Sequence, residues 1–151
     1  MPDSFDFAYA AGILDGEGWI GMSTCPPKGR KRSPVFQCQV AVRMTDRQVP
    51  DWLAETFGGR VLELGVSSPR SKRPIFHWSL TGERAAEFCR LVRPHLRVKH
   101  RQAELVVRYR EDARLNHNRR GGRGVRTPDA EVEIKKTYAA EFAALNGRAE
   151  P

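Results

Sequence analysis

The sequence predicts an α+β domain in which four antiparallel strands form one sheet with helices on one of its faces. The order helix, strand, strand occurs twice, over residues 4–44 and 47–81. The strands alternate apolar and polar side chains, as a sheet with one buried and one exposed face requires. A chain of 151 residues is long enough for one core and short for two, so we expect a single domain over 1–151.

The first predicted helix runs from about Ser4 to Gly16. Small residues recur at every fourth position of this helix: Ser4, Ala8, Gly12 and Gly16. Such a stripe lets a second helix backbone approach closely. The neighbouring face carries three larger side chains that we expect in the core: Phe5, Tyr9 and Ile13.

The central elements are predicted as strands at 19–24 and 35–44, a helix at 47–57 that ends at two glycines, and strands at 62–66 and 76–81. In the third strand, Leu62, Leu64 and Val66 are assigned to the apolar face and Glu63 to the polar face. Helices follow at 81–92 and 99–114. They complete a core of about 4–114.

Residues 115–151 are predicted as an arginine-rich loop and a last helix that starts at Thr127, Pro128 and Asp129 and ends near Leu145. The sequence leaves open whether this segment contacts a ligand or braces the core.

The formal net charge of +8 and pI of 9.9 indicate a polyanion partner, either nucleic acid or a membrane surface. The basic residues are scattered over loops and strands, which disfavours a basic membrane helix. No apolar run approaches the ~20 residues of a membrane span, and the N-terminus does not resemble a signal peptide. Three widely spaced cysteines, Cys25, Cys38 and Cys89, suggest reduced core thiols in a soluble intracellular protein.

The polar sheet face is the predicted DNA-binding surface, because its residue types can hydrogen-bond base edges. We assign these residues to it: Gln37, Gln39, Arg43, Glu63, Ser67, His77, Ser79 and Thr81. Two basic hairpin loops at its ends are expected to bind phosphates: Lys28, Arg30, Lys31 and Arg32 in one, and Arg70, Lys72 and Arg73 in the other.

The stretch AAGILDGEG, residues 10–18, resembles the LAGLIDADG signature of homing endonucleases, with Glu17 in place of the last Asp. The order of elements is similar to that family's αββαββα core. The phrase FGGRVLEL and the segment LRVKHRQAEL resemble later family segments, so the resemblance covers about residues 4–114.

The resemblance implies a site-specific double-stranded DNA endonuclease encoded by a mobile element. A chain with a single motif implies a homodimer that cuts a long, nearly palindromic site. The dimer interface is assigned to the motif helix: Ser4, Ala8, Ala11, Gly12 and Asp15. DNA and a second copy of the chain are the expected partners, with neither a membrane nor a small-molecule substrate.

The resemblance also implies Mg²⁺ as cofactor, with Mn²⁺ as a substitute and Ca²⁺ supporting binding without cleavage. Glu17 and the backbone carbonyl of Gly16 are the implied metal ligands, and Lys99 is the implied catalytic lysine near the scissile phosphate. The position that helps to place water is Asp46 or Met44, depending on a two-residue shift. Asp15 is expected to cap and orient the turn rather than to bind metal.

Two alternatives belong to other functional classes. The same fold serves as a non-catalytic nucleic-acid binder, either an intron RNA maturase or a DNA-binding regulator, although both motif acids, Asp15 and Glu17, are present. A helical dimerisation module with an incidental basic surface is disfavoured by the four-strand pattern.

Overall fold

Five α-helices and four strands make up the part of the chain that the structure, a computed structural model, describes: residues 1–27, 29, 33–66, 68–117 and 125–147. In chain order the elements are α1 (Ser4–Glu17), β1 (Gly18–Cys25), β2 (Val35–Met44), α2 (Gln48–Phe57), β3 (Arg60–Val66), β4 (Pro74–Thr81), α3 (Gly82–Val92), a 3-10 turn (Arg93–His95), α4 (His100–Glu111) and α5 (Asp129–Leu145). The predicted αββαββα order is confirmed.

The four strands form one antiparallel sheet in the order β1-β2-β4-β3. Its centre is buried under the helices, and Ile20, Val40 and Trp78 are fully buried. Trp78 also donates its indole N–H to the carbonyl of Gly58 at 2.8 Å, which anchors the end of α2 to the sheet. The helices that precede α5 therefore cover one face and leave most of the other face uncovered.

The face assignment in β3 is wrong by one residue. Leu62 lies opposite His77 and Glu63 lies opposite Phe76. Directly opposite residues of antiparallel strands project from the same face. Leu62 therefore shares the uncovered face with His77, and Glu63 lies on the helix side. This edge strand has apolar residues at both phases of the alternation, Val61 and Leu62, so its pattern does not fix its orientation.

Two of the three predicted core residues of α1 are wrong, whereas the third, Ile13, is half-buried against the core. Phe5 is 83% exposed and Tyr9 is 54% exposed, whereas Ala10, Ala11 and Leu14 are fully buried. Alanines on the buried face let the helix backbone lie close to the sheet, and larger aromatic side chains do not fit there. The four small residues of the stripe are exposed, as a close-packing outer face requires: Ser4, Ala8, Gly12 and Gly16.

Helix α5 packs against α4 and the β1 edge of the sheet through buried Tyr138 and Phe142. At its end, Asn146 donates a side-chain N–H to the carbonyl of Ile20 at 3.1 Å. Gln102 of α4 donates to the carbonyl of Leu145 at 3.2 Å. The described part of the C-terminal segment thus braces the core. The arginines at 119, 120 and 123 lie outside the described residues.

Of the three cysteines, Cys38 and Cys89 are buried, as predicted, and Cys25 is exposed at the end of β1. The expectation of a core thiol is therefore wrong for Cys25. Burial raises the pKa of the Cys38 thiol to about 12, so this thiol stays protonated at neutral pH. Among the described helices, none combines the length and the apolar character that crossing a membrane requires.

We expect Gly59→Ala to lower the free energy of unfolding by about 2–6 kcal/mol, because backbone strain and a steric clash each cost ~1–3 kcal/mol. Gly59 has a positive φ of 94°, and an added Cβ would lie 2.6 Å from the carbonyl oxygen of Ser79. Gly58 has a similar φ of 79°, but its added Cβ would make only an ordinary van der Waals contact, with Arg84 Nη1 at 3.9 Å, so Gly58→Ala is the matched control with strain and no clash. Chemical denaturation measures both, and equal losses would contradict the close approach.

Candidate active site and nucleic-acid interface

The end of α1 is joined to the start of α4 by the carboxylate of Asp15. Its two oxygens accept hydrogen bonds from the backbone N–H groups of Arg97, Val98 and Lys99 at 2.8, 3.2 and 3.0 Å. Backbone N–H groups in the turn before a helix have no partner within that helix, and the carboxylate accepts charge-assisted hydrogen bonds from them. Asp15 therefore caps the turn before α4, across more than 80 residues of sequence.

Lys99, in turn, binds the backbone at the end of α1. Its Nζ donates to the carbonyl of Leu14 at 2.6 Å and to that of Asp15 at 2.9 Å. The last carbonyls of a helix carry partial negative charge, which a lysine ammonium offsets. Asp15 and Lys99 together form a reciprocal clamp between two helix ends, and each side chain holds the backbone of the other.

The environment shifts both titrating groups of this clamp. Burial opposes ionisation of Asp15, but the three backbone N–H groups and Lys99 outweigh it, so the pKa of Asp15 is lower than usual. Burial lowers the pKa of Lys99, and the carboxylates of Asp15 and Glu17 only partly offset this effect. Lys99 is thus a half-buried ammonium at the motif and not an ordinary surface lysine.

Glu17 is the last residue of α1, and its side chain is exposed. The next residue, Gly18, has no space for a side chain, because an added Cβ would lie 2.6 Å from the Cα of Leu14. The chain therefore turns sharply from the helix into β1 at this point. Because of this turn, Glu17 lies at the boundary between the end of the helix and the uncovered sheet face.

A single chain offers a sparse set of metal ligands. Among the described residues, no group of three or more His, Cys, Asp or Glu side chains could hold a metal ion. The implied ligands, the Glu17 carboxylate and the Gly16 carbonyl, are hard oxygens that suit Mg²⁺. Mg²⁺ commonly takes one or two carboxylates together with waters and substrate phosphates. The donor set therefore fits this ion, with the remaining ligands supplied from outside the chain.

The two alternatives for the water-positioning residue differ in environment. Met44, the last residue of β2, is half-buried against the hydrophobic core. Asp46 is exposed just beyond the strand and accepts a hydrogen bond from the backbone N–H of Gln48 at 2.8 Å, at the start of α2. A thioether in the core cannot orient water, so Asp46 is the better-placed polar group, although one of its oxygens is engaged in capping.

A groove of about 780 Å³ extends from Glu17 along the uncovered face of the sheet. Two of the predicted DNA-binding residues form a pair inside it: Arg43 donates from Nε to His77 Nδ1 at 3.0 Å. Burial, and secondarily Arg43, lower the pKa of His77, so its imidazole is neutral and accepts this bond. His77 is almost buried and Arg43 is exposed. The His77 ring therefore holds the Arg43 guanidinium in place, and the guanidinium is exposed in the groove.

The other predicted DNA-binding residues differ in exposure. On the uncovered face, Gln37 is exposed, and Gln39 and Ser79 are half-buried. In the β3–β4 connection, Arg70, Lys72 and Arg73 are all exposed. The assigned residues Lys28, Arg30, Lys31, Arg32 and Ser67 lie outside the described residues. Glu63 lies opposite Phe76 and therefore projects from the helix-covered face of the sheet.

The structure adds residues that the sequence did not single out. Trp19 and Asn146 line the groove beside Glu17, and Arg60 lies opposite Ser79 on the same face. The sequence does contain a signal for Trp19, which lies two residues after Glu17. Ile20 and Met22 of the same strand enter the core, so Trp19 projects from the opposite face. Nothing local marks Asn146, because α5 reaches β1 only in the folded chain.

Neither a protein-family model nor the sequence of a curated protein matches this chain. Solved structures do match it. The homing endonuclease I-CvuI, in complex with uncleaved DNA in the presence of Mg, is 18% identical with a TM-score of 0.71, over 93% of this chain and 82% of that one. The archaeal intron-encoded homing endonuclease I-Vdi141I, complexed with DNA, is 15% identical with a TM-score of 0.58, over 95% and 99% of the two chains.

The chain has the LAGLIDADG homing endonuclease fold. The meganuclease I-SmaMI, bound to uncleavable DNA, is 13% identical with a TM-score of 0.60 over 99% of this chain but only 45% of its own. This chain is thus about the length of I-Vdi141I and less than half that of I-SmaMI. I-CvuI has also been solved with its target in the presence of Ca.

We expect Asp15→Asn to lower the free energy of unfolding by about 1–2 kcal/mol at neutral pH, because the charge-assisted bonds to three backbone N–H groups weaken. A carboxylate whose pKa is lower in the folded protein stabilises fully above its unfolded pKa of about 3.9 and loses this effect as pH falls through the folded value. The deficit should therefore shrink below about pH 4.

Urea titrations at several pH values measure this deficit. Asp51→Asn is the matched control, because within the described part of the chain Asp51 forms an exposed i,i+4 ion pair with Arg47. A deficit that is independent of pH, or equal to that of the control, would contradict the clamp.

Proposed function

We propose that this chain is a site-specific, divalent-metal-dependent endonuclease of double-stranded DNA that acts as a homodimer. The observation that carries the proposal is the end of α1, where the exposed Glu17 carboxylate acts electrostatically on the Lys99 ammonium and lines the groove on the uncovered sheet face. Metal-binding and phosphate-binding groups thus border the surface predicted to contact bases. The shared fold with homing endonucleases solved with DNA supports the same class.

In this proposal each residue has a separate task. Glu17 and the Gly16 carbonyl hold the cation, and Lys99 offsets negative charge that develops near the scissile phosphate. When bound, Mg²⁺ would lower the pKa of water and stabilise the leaving oxygen. Asp46 orients water through the oxygen that does not cap α2. Asp15 takes no direct part and holds the backbone at Lys99 in place.

The dimer is proposed from two glycines that no contact within the described part of the chain requires. An added Cβ at Gly12 or Gly16 would meet no atom within 4 Å, yet glycine inside a helix costs about 1 kcal/mol relative to alanine. The requirement is therefore external. A second α1 packed along the exposed stripe supplies it, with Ser4 and Ala8 on the same face. Ala11 is buried inside the protomer and supports this face only indirectly.

A two-fold dimer places two copies of Glu17 near each other. Alone, this would concentrate negative charge from two carboxylates and two helix C-terminal ends. In the DNA complex, bound divalent cations and the formal net charge of +8 on each chain would offset this repulsion. The DNA site is then long and nearly palindromic, because each protomer presents the same sheet face.

The second candidate is a non-catalytic LAGLIDADG nucleic-acid binder. The observation in its favour is the hydrogen bond from the backbone N–H of Gln48 to Asp46, because it engages one oxygen of the residue assigned to position water. Binding to selected DNA in Ca²⁺, with no cut ends in Mg²⁺ or Mn²⁺, would favour this candidate over the nuclease.

Glu17→Gln should lower the cleavage rate about 100-fold or more, because losing a direct ligand should exceed the ~10–100-fold cost of losing an outer-shell partner. Duplexes selected from a random library in Ca²⁺ are transferred to Mg²⁺, and the ends are sequenced. Binding in Ca²⁺ confirms that the variant folds. Glu55→Gln, an exposed acid on α2, is the matched control and should cut normally. Cleavage that survives in Glu17→Gln would refute the assigned ligand.

Gly12→Leu should weaken dimerisation about tenfold to 100-fold while the protomer stays folded, because overpacking a close contact costs about 1–3 kcal/mol. Sedimentation equilibrium reports the association, and circular dichroism reports the fold. Glu87→Leu adds the same side chain at an exposed position of α3 and should leave the association unchanged. A wild-type protein that is monomeric both free and on DNA would overturn the dimer.

A further inference from the structure

The uncovered face of the sheet ends in two leucines at its β3 edge. Leu62 lies opposite His77, and Leu64 lies opposite Ile75, so both leucines project from the face that also carries the Arg43–His77 pair. Leu62 is 43% exposed and Leu64 is 36% exposed, and Ile75 beside them is half-buried. A face composed mainly of polar residues therefore has an apolar patch, Leu62, Leu64 and Ile75, at one end.

Packing inside the chain does not account for these leucines. Their neighbour Val61 faces the helices and packs against the hydrophobic core, and in the part of the chain that the structure describes neither Leu62 nor Leu64 belongs to that cluster. Exposed leucines on an edge strand carry a risk of aggregation, which natural edge strands commonly reduce with charged residues. Contact with a ligand would offset this cost.

The charges around the patch indicate what that ligand is. Arg43 lies in the same cross-strand row as Leu62, and Arg60 lies two residues earlier in β3 on the same face. The β3–β4 connection beyond the patch exposes Arg70, Lys72 and Arg73. An apolar patch enclosed by cations suits a polyanion that displays small apolar groups between its phosphates. The major groove of DNA is such a surface, because thymine presents its 5-methyl group there.

We propose that Leu62 and Leu64 are specificity-determining residues that contact the 5-methyl group of a pyrimidine, one such base in each half-site. This inference rests on the proposed DNA-binding function and extends it to a preference at one position. Thymine and 5-methylcytosine carry the same methyl group, so the patch would recognise either base. Arg43 and Gln39 would read hydrogen-bonding edges at neighbouring positions, where the leucines contribute nothing.

The test removes the methyl group and nothing else. Duplexes are selected from a random library in Ca²⁺, and each thymine of the selected site is replaced by uracil in turn. Dissociation constants are measured by fluorescence anisotropy in Ca²⁺. At one thymine per half-site, uracil should raise Kd about fourfold per protomer contact, the worth of one buried methyl group. Uracil at other positions should leave Kd unchanged.

The variants Leu62→Ala and Leu64→Ala connect that effect to the patch. At the sensitive position, the double variant should bind the thymine and uracil duplexes equally. Glu63→Ala, on the opposite face of the same strand, is the matched control and should keep the full discrimination. Because all three positions are exposed, the variants should fold, and circular dichroism checks this.

A further pair of duplexes distinguishes the two sources of the methyl group. The sensitive thymine is replaced by cytosine or by 5-methylcytosine, with the partner base changed to guanine in both. The methylated duplex should bind about fourfold more tightly than the unmethylated one with wild-type protein, and equally with the double variant.

The outcomes separate this inference from the proposed function. Selected sites that contain no thymine sensitive to uracil, or discrimination that persists in the double variant, would overturn the leucine contact and leave DNA binding intact. If no duplex is selected at all, both fail. Uracil sensitivity that Glu63→Ala also abolishes would show a general weakening of the sheet, and would count against the contact.

Discussion

The clamp between Asp15 and Lys99 is the constraint on which the candidate site depends. It joins the carbonyl end of α1 to the turn at residues 97–99, which leads into α4, with five hydrogen bonds between residues 82 to 85 positions apart. The last carbonyls of α1 and the N–H groups of that turn each gain a charged partner from the other segment. Glu17 follows this junction directly, so its position relative to Lys99 is fixed by the clamp and not by a flexible loop.

The same junction explains the concentration of acids at a helix end, where acids are ordinarily unfavourable. The backbone N–H groups of residues 97–99 stabilise the Asp15 carboxylate, so its negative charge is compensated within the protomer. Glu17 is exposed and has no such role in capping. Two neighbouring carboxylates therefore have different tasks. One organises the fold, and the other is available for a cation and a phosphate from outside the chain.

The motif helix divides its surfaces in a comparable way. Its inner face uses Ala10, Ala11 and Leu14 to lie close to the sheet, and its outer face places glycines where the protomer makes no contact. The sheet repeats this division, with a helix-covered side and an open side that carries arginines, amides and leucines. Helix α5 closes the β1 edge, so the open face has one braced edge and one edge free to meet a ligand.

The sequence by itself determined the order of elements, the polar face of β2 and the exceptional character of residues 10–18, because alternation and helix-end signals are local. Only the tertiary structure decided the orientation of β3, the partners of Asp15 and the pairing of Arg43 with His77. An edge strand with apolar residues at both phases gains little by burying either side, so its neighbour β4 sets its register. The partners of Asp15 lie more than 80 residues away in the sequence, and only the folded chain brings them to this carboxylate.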